Sequence, residues 1–93
     1  MPFSFDLSEE LKATIRVLAK KDPKTVEVLN KKIKQITSSD DLTIGHYKNL
    51  RYGLSEYKRV HVARSFVLLF KVLRKEKHII FDKFGHHDDI YKR

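Results

Sequence analysis

Tyr57-Lys58-Arg59-Val60-His61-Val62, Phe66-Val67-Leu68-Leu69-Phe70, Ile79-Ile80-Phe81 and Phe84-Gly85-His86-His87-Asp88-Asp89-Ile90-Tyr91 fill the last third of the chain and decide its fold. The first segment alternates: Val60 and Val62 fall on one side of a strand, Tyr57, Arg59 and His61 on the other. The second is almost continuously apolar, which predicts a central strand over Phe66–Leu73 covered on much of both faces. Ala63-Arg64-Ser65 is too short a connection for anything but an antiparallel return, and Arg74-Lys75-Glu76-Lys77 reads as a charged hairpin turn. A last strand is expected over His78–Phe84, broken by Gly85 and followed by a turn or helical tail over His86–Tyr91.

The N-terminal half supplies the other layer. Phe3 and Phe5 alternate with Ser4 and Asp6, so a short first strand is expected with its aromatic face inward. Asp6 and Glu9 have the spacing of a capping box, and Leu7, Leu11, Ile15 and Leu18 mark an amphipathic helix to about Lys20. Asp22-Pro23 restarts the chain as N-cap and first helical residue, and Val26, Leu29, Ile33 and Ile36 give the second helix its apolar stripe. Thr37 to Asp41 reads as a polar loop, Tyr47 to Tyr52 as a strand of uncertain length, and Gly53 to Glu56 as a turn. The expected order is β-α-α-β-β-β-β: an α+β single domain over residues 1–93, a helical hairpin packed on one face of an antiparallel sheet.

Charge is divided unevenly. Residues 1–45 carry 8 Lys/Arg against 7 Asp/Glu, whereas residues 46–93 carry 12 against 5 and all five His, so nearly all of the net +8 lies in the second half. Such a field favours a polyanion, either nucleic acid or an acidic protein segment. The absence of Cys excludes disulfides, thiolate zinc sites and Cys nucleophiles. With no apolar run long enough to span a bilayer and no secretory pattern at Met1-Pro2-Phe3, a cytoplasmic protein with no membrane partner is expected.

His86 and His87 are adjacent and point in divergent directions, so together they grip one ion poorly; no metal site and no cofactor is expected. Acid–base chemistry suits the composition better. Cutting RNA with its own 2′-hydroxyl needs a base for that proton, cations for the charge developing on phosphorus, and an acid for the departing 5′ oxygen. His46, His61 and His87 can serve the proton steps, and Arg59, Lys58 and Lys83 the charge. Any one such His is ordinarily a side chain without a role; several on one basic face are not.

In element order, in the basic segment ending at His61, in the apolar strand from Phe66 to Lys71 and in the terminal Phe84 to Tyr91, the chain resembles the RelE/ParE superfamily of toxins from toxin–antitoxin modules, and its YafQ-like branch most closely. The resemblance implies a ribosome-dependent mRNA endoribonuclease that works without metal, and a cognate antitoxin that neutralises it. Carried over by position, the terminal catalytic His falls on His87, the His ending the basic strand on His61, the His of the preceding loop on His46 and the aromatic after the terminal motif on Tyr91; Arg59 becomes a phosphate contact and His86 a second proton donor or a bystander. The chain departs from that branch at Ser65, where the pattern has an acid, and at Phe66, where it has Trp. If that acid orients a His, another group does so here or activity is lost. The alternatives are a non-catalytic binding protein of the same fold, directed at gyrase or paired only with an antitoxin, and a basic RNA-binding domain. An exposed sheet edge and basic groove are the expected seat of the antitoxin.

Overall fold

A computed structural model describes residues 3–49 and 57–90. Five strands form one sheet in the order β1-β5-β4-β3-β2, with β1 spanning Ser4–Leu7, β2 Lys48–Asn49, β3 Tyr57–Val62, β4 Phe66–Leu73 and β5 His78–His86. The helical hairpin of α1 (Glu9–Lys21) and α2 (Pro23–Thr37) lies against one face. Single turns α3 (Asp41–Ile44) and α4 (His87–Ile90) complete the described residues.

The α+β class and the antiparallel β2-β3-β4-β5 meander are as expected, but β1 joins the edge of β5 in parallel, so the sheet is mixed. A parallel partner needs a crossover. Here the whole hairpin and the meander intervene between β1 and β5, which carries the chain from one edge of the sheet to the other. The new edge is fastened by side chains as well as backbone. The His78 ring stands between the Ser4 hydroxyl, 2.7 Å from Nδ1, and the Asp6 carboxylate, 3.0 Å from Nε2.

This engagement of Asp6 displaces the expected cap. Because β1 runs to Leu7, the helix starts later, and Ser8 is the N-cap, accepting the Leu11 N–H at 3.0 Å and donating to the Asp82 carbonyl at 2.5 Å. Asp22 and Pro23 take their expected places: the Asp22 carboxylate accepts the Thr25 N–H and hydroxyl at 3.3 and 2.6 Å. In the segment read as a loop, Asp40 caps α3 through the Thr43 N–H at 2.8 Å and Ile44 is driven fully into the core. Those Thr43 hydrogen bonds hold the Asp40 carboxyl below its usual pKa. The described part of the Tyr47–Tyr52 strand is Lys48–Asn49; its remainder and the Gly53–Glu56 turn lie outside the described residues.

Leu11, Leu29, Ile33 and Ile36 of the helices meet Val62, Leu68, Phe70, Ile79, Phe81 and Phe84 of the sheet in the main core. Each fully buried large side chain is worth roughly 1.5–3 kcal/mol of transfer free energy. Phe70 is the hub, edge-on to Tyr47 at 5.5 Å and tilted against Phe81 at 5.7 Å. Phe3 is buried as expected, whereas Phe5 remains 45% exposed at the β1 edge.

A register shift between Leu69 and Phe70 was not legible beforehand. It explains how Phe81 and Phe84, three residues apart, both reach the core, since a bulge resets the two-residue alternation. Beyond it β5 does not break at Gly85, which pairs with Val67, and the strand continues to His86 opposite Phe66. Both hairpin connections pass through the left-handed region, at Ala63 (φ 56°) and Lys77 (φ 54°).

Candidate nucleic-acid interface

The face of the sheet away from the helices has its own small apolar floor: Val67 and Leu69, both buried, with Tyr57 and Ile90 packed on them. Strand alternation fixes what surrounds it. Val60 and Val62 pack into the main core, so Tyr57, Arg59 and His61 project from the opposite side of β3. Across the register, Tyr57 faces Lys71, Arg59 faces Leu69 and His61 faces Val67, while on β5 Lys83 lies opposite Leu69 and Gly85 opposite Val67. Arg59, Lys71 and Lys83 thus share one surface with His61.

His87 joins them from α4. Its ring lies nearly parallel to that of His61, 15° between planes and 5.8 Å between centroids, and both residues are exposed. The backbone places it there: the His87 N–H donates to the Ser65 carbonyl at 2.6 Å, tying the start of α4 to the β3–β4 connection. Ser65, where the resemblance has an acid, thus meets His87 through its main chain. Asp88 lies beside the ring, with Oδ1 3.6 Å from His87 Nδ1, outside hydrogen-bond range.

The remaining expected site residues are placed as follows. Lys83 is on the open face, but its ammonium is bound at 2.8 Å by Glu10 of α1, and that bond raises its pKa above the ordinary lysine value. Lys58 alternates to the helix-covered side, half-buried, donating to the Tyr47 carbonyl at 3.1 Å; desolvation, with the nearby Arg74 charge, lowers its pKa. The same alternation that puts Arg59 outward turns Lys58 to the helix-covered side. His86 packs edge-on against Phe66 at 5.9 Å on the helix-covered side, so the two adjacent imidazoles diverge as expected. His46 lines a shallow groove with Asp41, Leu42, Gly45 and Arg74. Arg74 follows the end of β4 that pairs with His78, whereas His61 pairs with Val67 near the other end of that strand, and neither His61 nor His87 lines the groove that holds His46. Tyr91 lies outside the described residues.

Lys71, Ile90 and Glu10 belong to the surroundings of this surface and were not singled out from sequence. Lys71 could have been found by extending the alternation of β4 past its apolar run, and Ile90 by its spacing of three from His87, which puts both on one side of a helical turn. Among the described residues no group of three or more His, Cys, Asp or Glu is gathered as a metal-ligand set, and no helix is long and apolar enough to cross a membrane.

Chemically, the surface offers two imidazoles side by side, a guanidinium in the next outward position of the same strand, and ammonium groups across the sheet. Proton transfer to or from a bound phosphodiester and neutralisation of its charge are both within reach of such an arrangement.

No family model matches the chain. A Methanocaldococcus jannaschii protein bearing the toxin name RelE4 is 40% identical over 91 residues, which is 98% of this chain and 93% of that protein. Among solved structures, a chain of the DinJ–YafQ toxin–antitoxin complex of E. coli superposes with a TM-score of 0.74 at 17% identity, over 98% of this chain and 99% of that one. A chain of the RelBE2 toxin–antitoxin complex of Mycobacterium tuberculosis does so with a TM-score of 0.63 at 11% identity, over 92% and 99%. The structural likenesses show the fold; the sequence likeness to RelE4 goes further.

Proposed function

This chain belongs to the RelE/YafQ family of toxins from toxin–antitoxin systems, and we propose that it is an endoribonuclease that cuts messenger RNA on the ribosome. The observation that carries the reading is the His61–His87 pair standing beside Arg59 on a sheet face that the helices leave uncovered.

In the reaction proposed, one imidazole of the pair takes the proton of the 2′-hydroxyl as its oxygen attacks the adjacent phosphorus. The other, as imidazolium, gives a proton to the 5′ oxygen as the P–O5′ bond breaks. The products are a 2′,3′-cyclic phosphate and a 5′-hydroxyl, with no group left on the protein. Arg59, and Lys83 when it exchanges Glu10 for phosphate, neutralise the charge that builds on the phosphoryl oxygens. His87 is the leading acid–base residue because both its backbone and its ring are held in place. His46 is given no proton step, since it lies with Arg74. Tyr57, packed on Val67 and Leu69, offers an apolar surface on which a base can rest. The physiological partner proposed is a cognate antitoxin, which the concentration of positive charge on residues 46–93 would attract if it is acidic.

Primer extension on a message in a translating extract tests this directly. Wild-type protein is expected to give cuts at codon positions that require ribosomes and vanish with His87→Ala. Absence of cuts from a folded protein, or equal cutting by the variant, would leave a binding protein of this fold as the better account.

A further inference from the structure

We infer that Ile90 is the positioning residue that holds His87 over His61, an inference that rests on the acid–base role given to that pair. α4 is a single turn, far below the length at which a helix is stable by itself. It therefore keeps its place by what it touches. The backbone fixes its first residue, through His87 N–H to the Ser65 carbonyl. Ile90, one turn on and on the same side of the helix, packs on Val67 and Leu69. Gly85 lies beneath it: a Cβ there would be 3.5 Å from the Ile90 Cδ1, an ordinary van der Waals contact, which places the isoleucine over the β5 backbone at that position.

These contacts converge on the site. Val67 pairs with His61 across β3–β4, and with Gly85 across β4–β5, so the residue that supports Ile90 is also the cross-strand neighbour of His61. Ile90 and His87 lie on one side of the single turn of α4, above that floor. Seating Ile90 on Val67 thus sets the distance between the two imidazoles without Ile90 having to touch RNA. Loss of the side chain removes that seat and lets α4 pivot about the Ser65 hydrogen bond.

The experiment compares Ile90→Ala, Ile90→Val and wild type by two readouts. In the isolated protein, NMR follows the through-space coupling of the His61 and His87 rings and the exchange protection of the His87 amide. In the translating extract, kcat and KM for message cleavage are separated. The expected result for Ile90→Ala is loss of the ring coupling, faster exchange of the His87 amide, and a fall in kcat of about tenfold to a hundredfold with KM little changed. Ile90→Val, which keeps a branched side chain on Val67, should restore coupling and kcat together. Retained coupling in Ile90→Ala, or lost coupling with unchanged kcat, would overturn the inference. If wild-type protein cuts nothing, the endonuclease reading fails by itself, while the ring coupling still decides whether Ile90 places His87.

Discussion

The helix-covered face of the sheet joins Phe70, Phe81 and Leu68 to two helices in a core of a dozen buried side chains; the open face has Val67 and Leu69 beneath Tyr57 and one turn of helix. Both are built by the same strands in the same register, yet they do different work. Where the helices cover the sheet, charge is excluded or turned aside, as with Lys58. Where they do not, the outward positions of β3, β4 and β5 carry Arg59, His61, Lys71 and Lys83. Stability should reside on the first face and chemistry on the second. Substitutions at neighbouring positions of one strand, which point to opposite faces, test that division.

Phe70→Ala and Leu69→Ala make the sharpest pair. Phe70 is fully buried against Tyr47 and Phe81, and its truncation is expected to lose about 3–5 kcal/mol, a large share of the roughly 5–15 kcal/mol available to a small domain. Leu69 is also buried, at 5% exposure, but under a thinner layer that can collapse onto the gap, so the low end of the range for such changes, about 2 kcal/mol, is expected. Urea titration of both reads the difference. Equal losses would mean that the open face is as much a core as the covered one.

Activity should invert that ranking. His87→Ala is expected to lower message cleavage by about a hundredfold to ten-thousandfold, with unfolding free energy within about 0.5 kcal/mol of wild type because the side chain is half exposed. His61→Ala should follow it, and the double variant should lose little more, since the two act as a unit. His46→Ala, beside Arg74, should cut normally; a loss as large as that of His87→Ala would show that the loop bearing His46 reaches the message from elsewhere.

Next in size is the pair Lys58 and Arg59, one inward and one outward. Arg59→Met is expected to reduce cleavage by about tenfold and flatten its dependence on salt, as loss of one phosphate contact does. Lys58→Met should leave cleavage unchanged. Its pKa is depressed by desolvation, so the unfolded chain binds that proton more readily and the charged Lys58 opposes folding. This penalty is relieved as pH rises through the depressed value toward the ordinary lysine range, and it is small because the group is only partly buried and still meets solvent. The measurement is therefore a comparison of wild type and Lys58→Met in thermal unfolding at neutral and at strongly alkaline pH, the variant losing any advantage at the latter.

The element order was readable because it rests on local rules: helical spacing at Leu11, Ile15 and Leu18, the Asp22-Pro23 start, and the alternation of Tyr57–Val62. The common face of Arg59 and His61 was readable for the same reason, since alternation alone puts them together. Applied one position earlier, that rule also turns Lys58 to the helix-covered side. What could not be read depends on long-range pairing. The parallel seat of β1 on β5 drew Asp6 to His78 and moved the helix cap to Ser8. The bulge at Leu69/Phe70 brought Phe84 inward. None of these leaves a mark in a window of ten residues.

The smallest expected effect lies at the rim between the two faces, where Glu10 of α1 holds Lys83. The ammonium is 42% exposed and the carboxylate 61%, so the pair belongs with surface salt bridges, worth about 0–1 kcal/mol and reduced by salt. Because the folded-state pKa of Lys83 is raised, its contribution is complete below the ordinary lysine value and is lost as pH rises through the raised one. Glu10→Gln should thus lower stability slightly at neutral pH and not at all in strong alkali. Its effect on cleavage has the opposite sign: with no carboxylate to leave, Lys83 meets phosphate at lower cost, and cleavage at limiting ribosome concentration should rise by about twofold. Lys83→Gln should abolish that gain when combined with Glu10→Gln. A gain that persists in the double variant would assign it to the removal of negative charge near the message, and Lys83 would then belong with α1 rather than with the site.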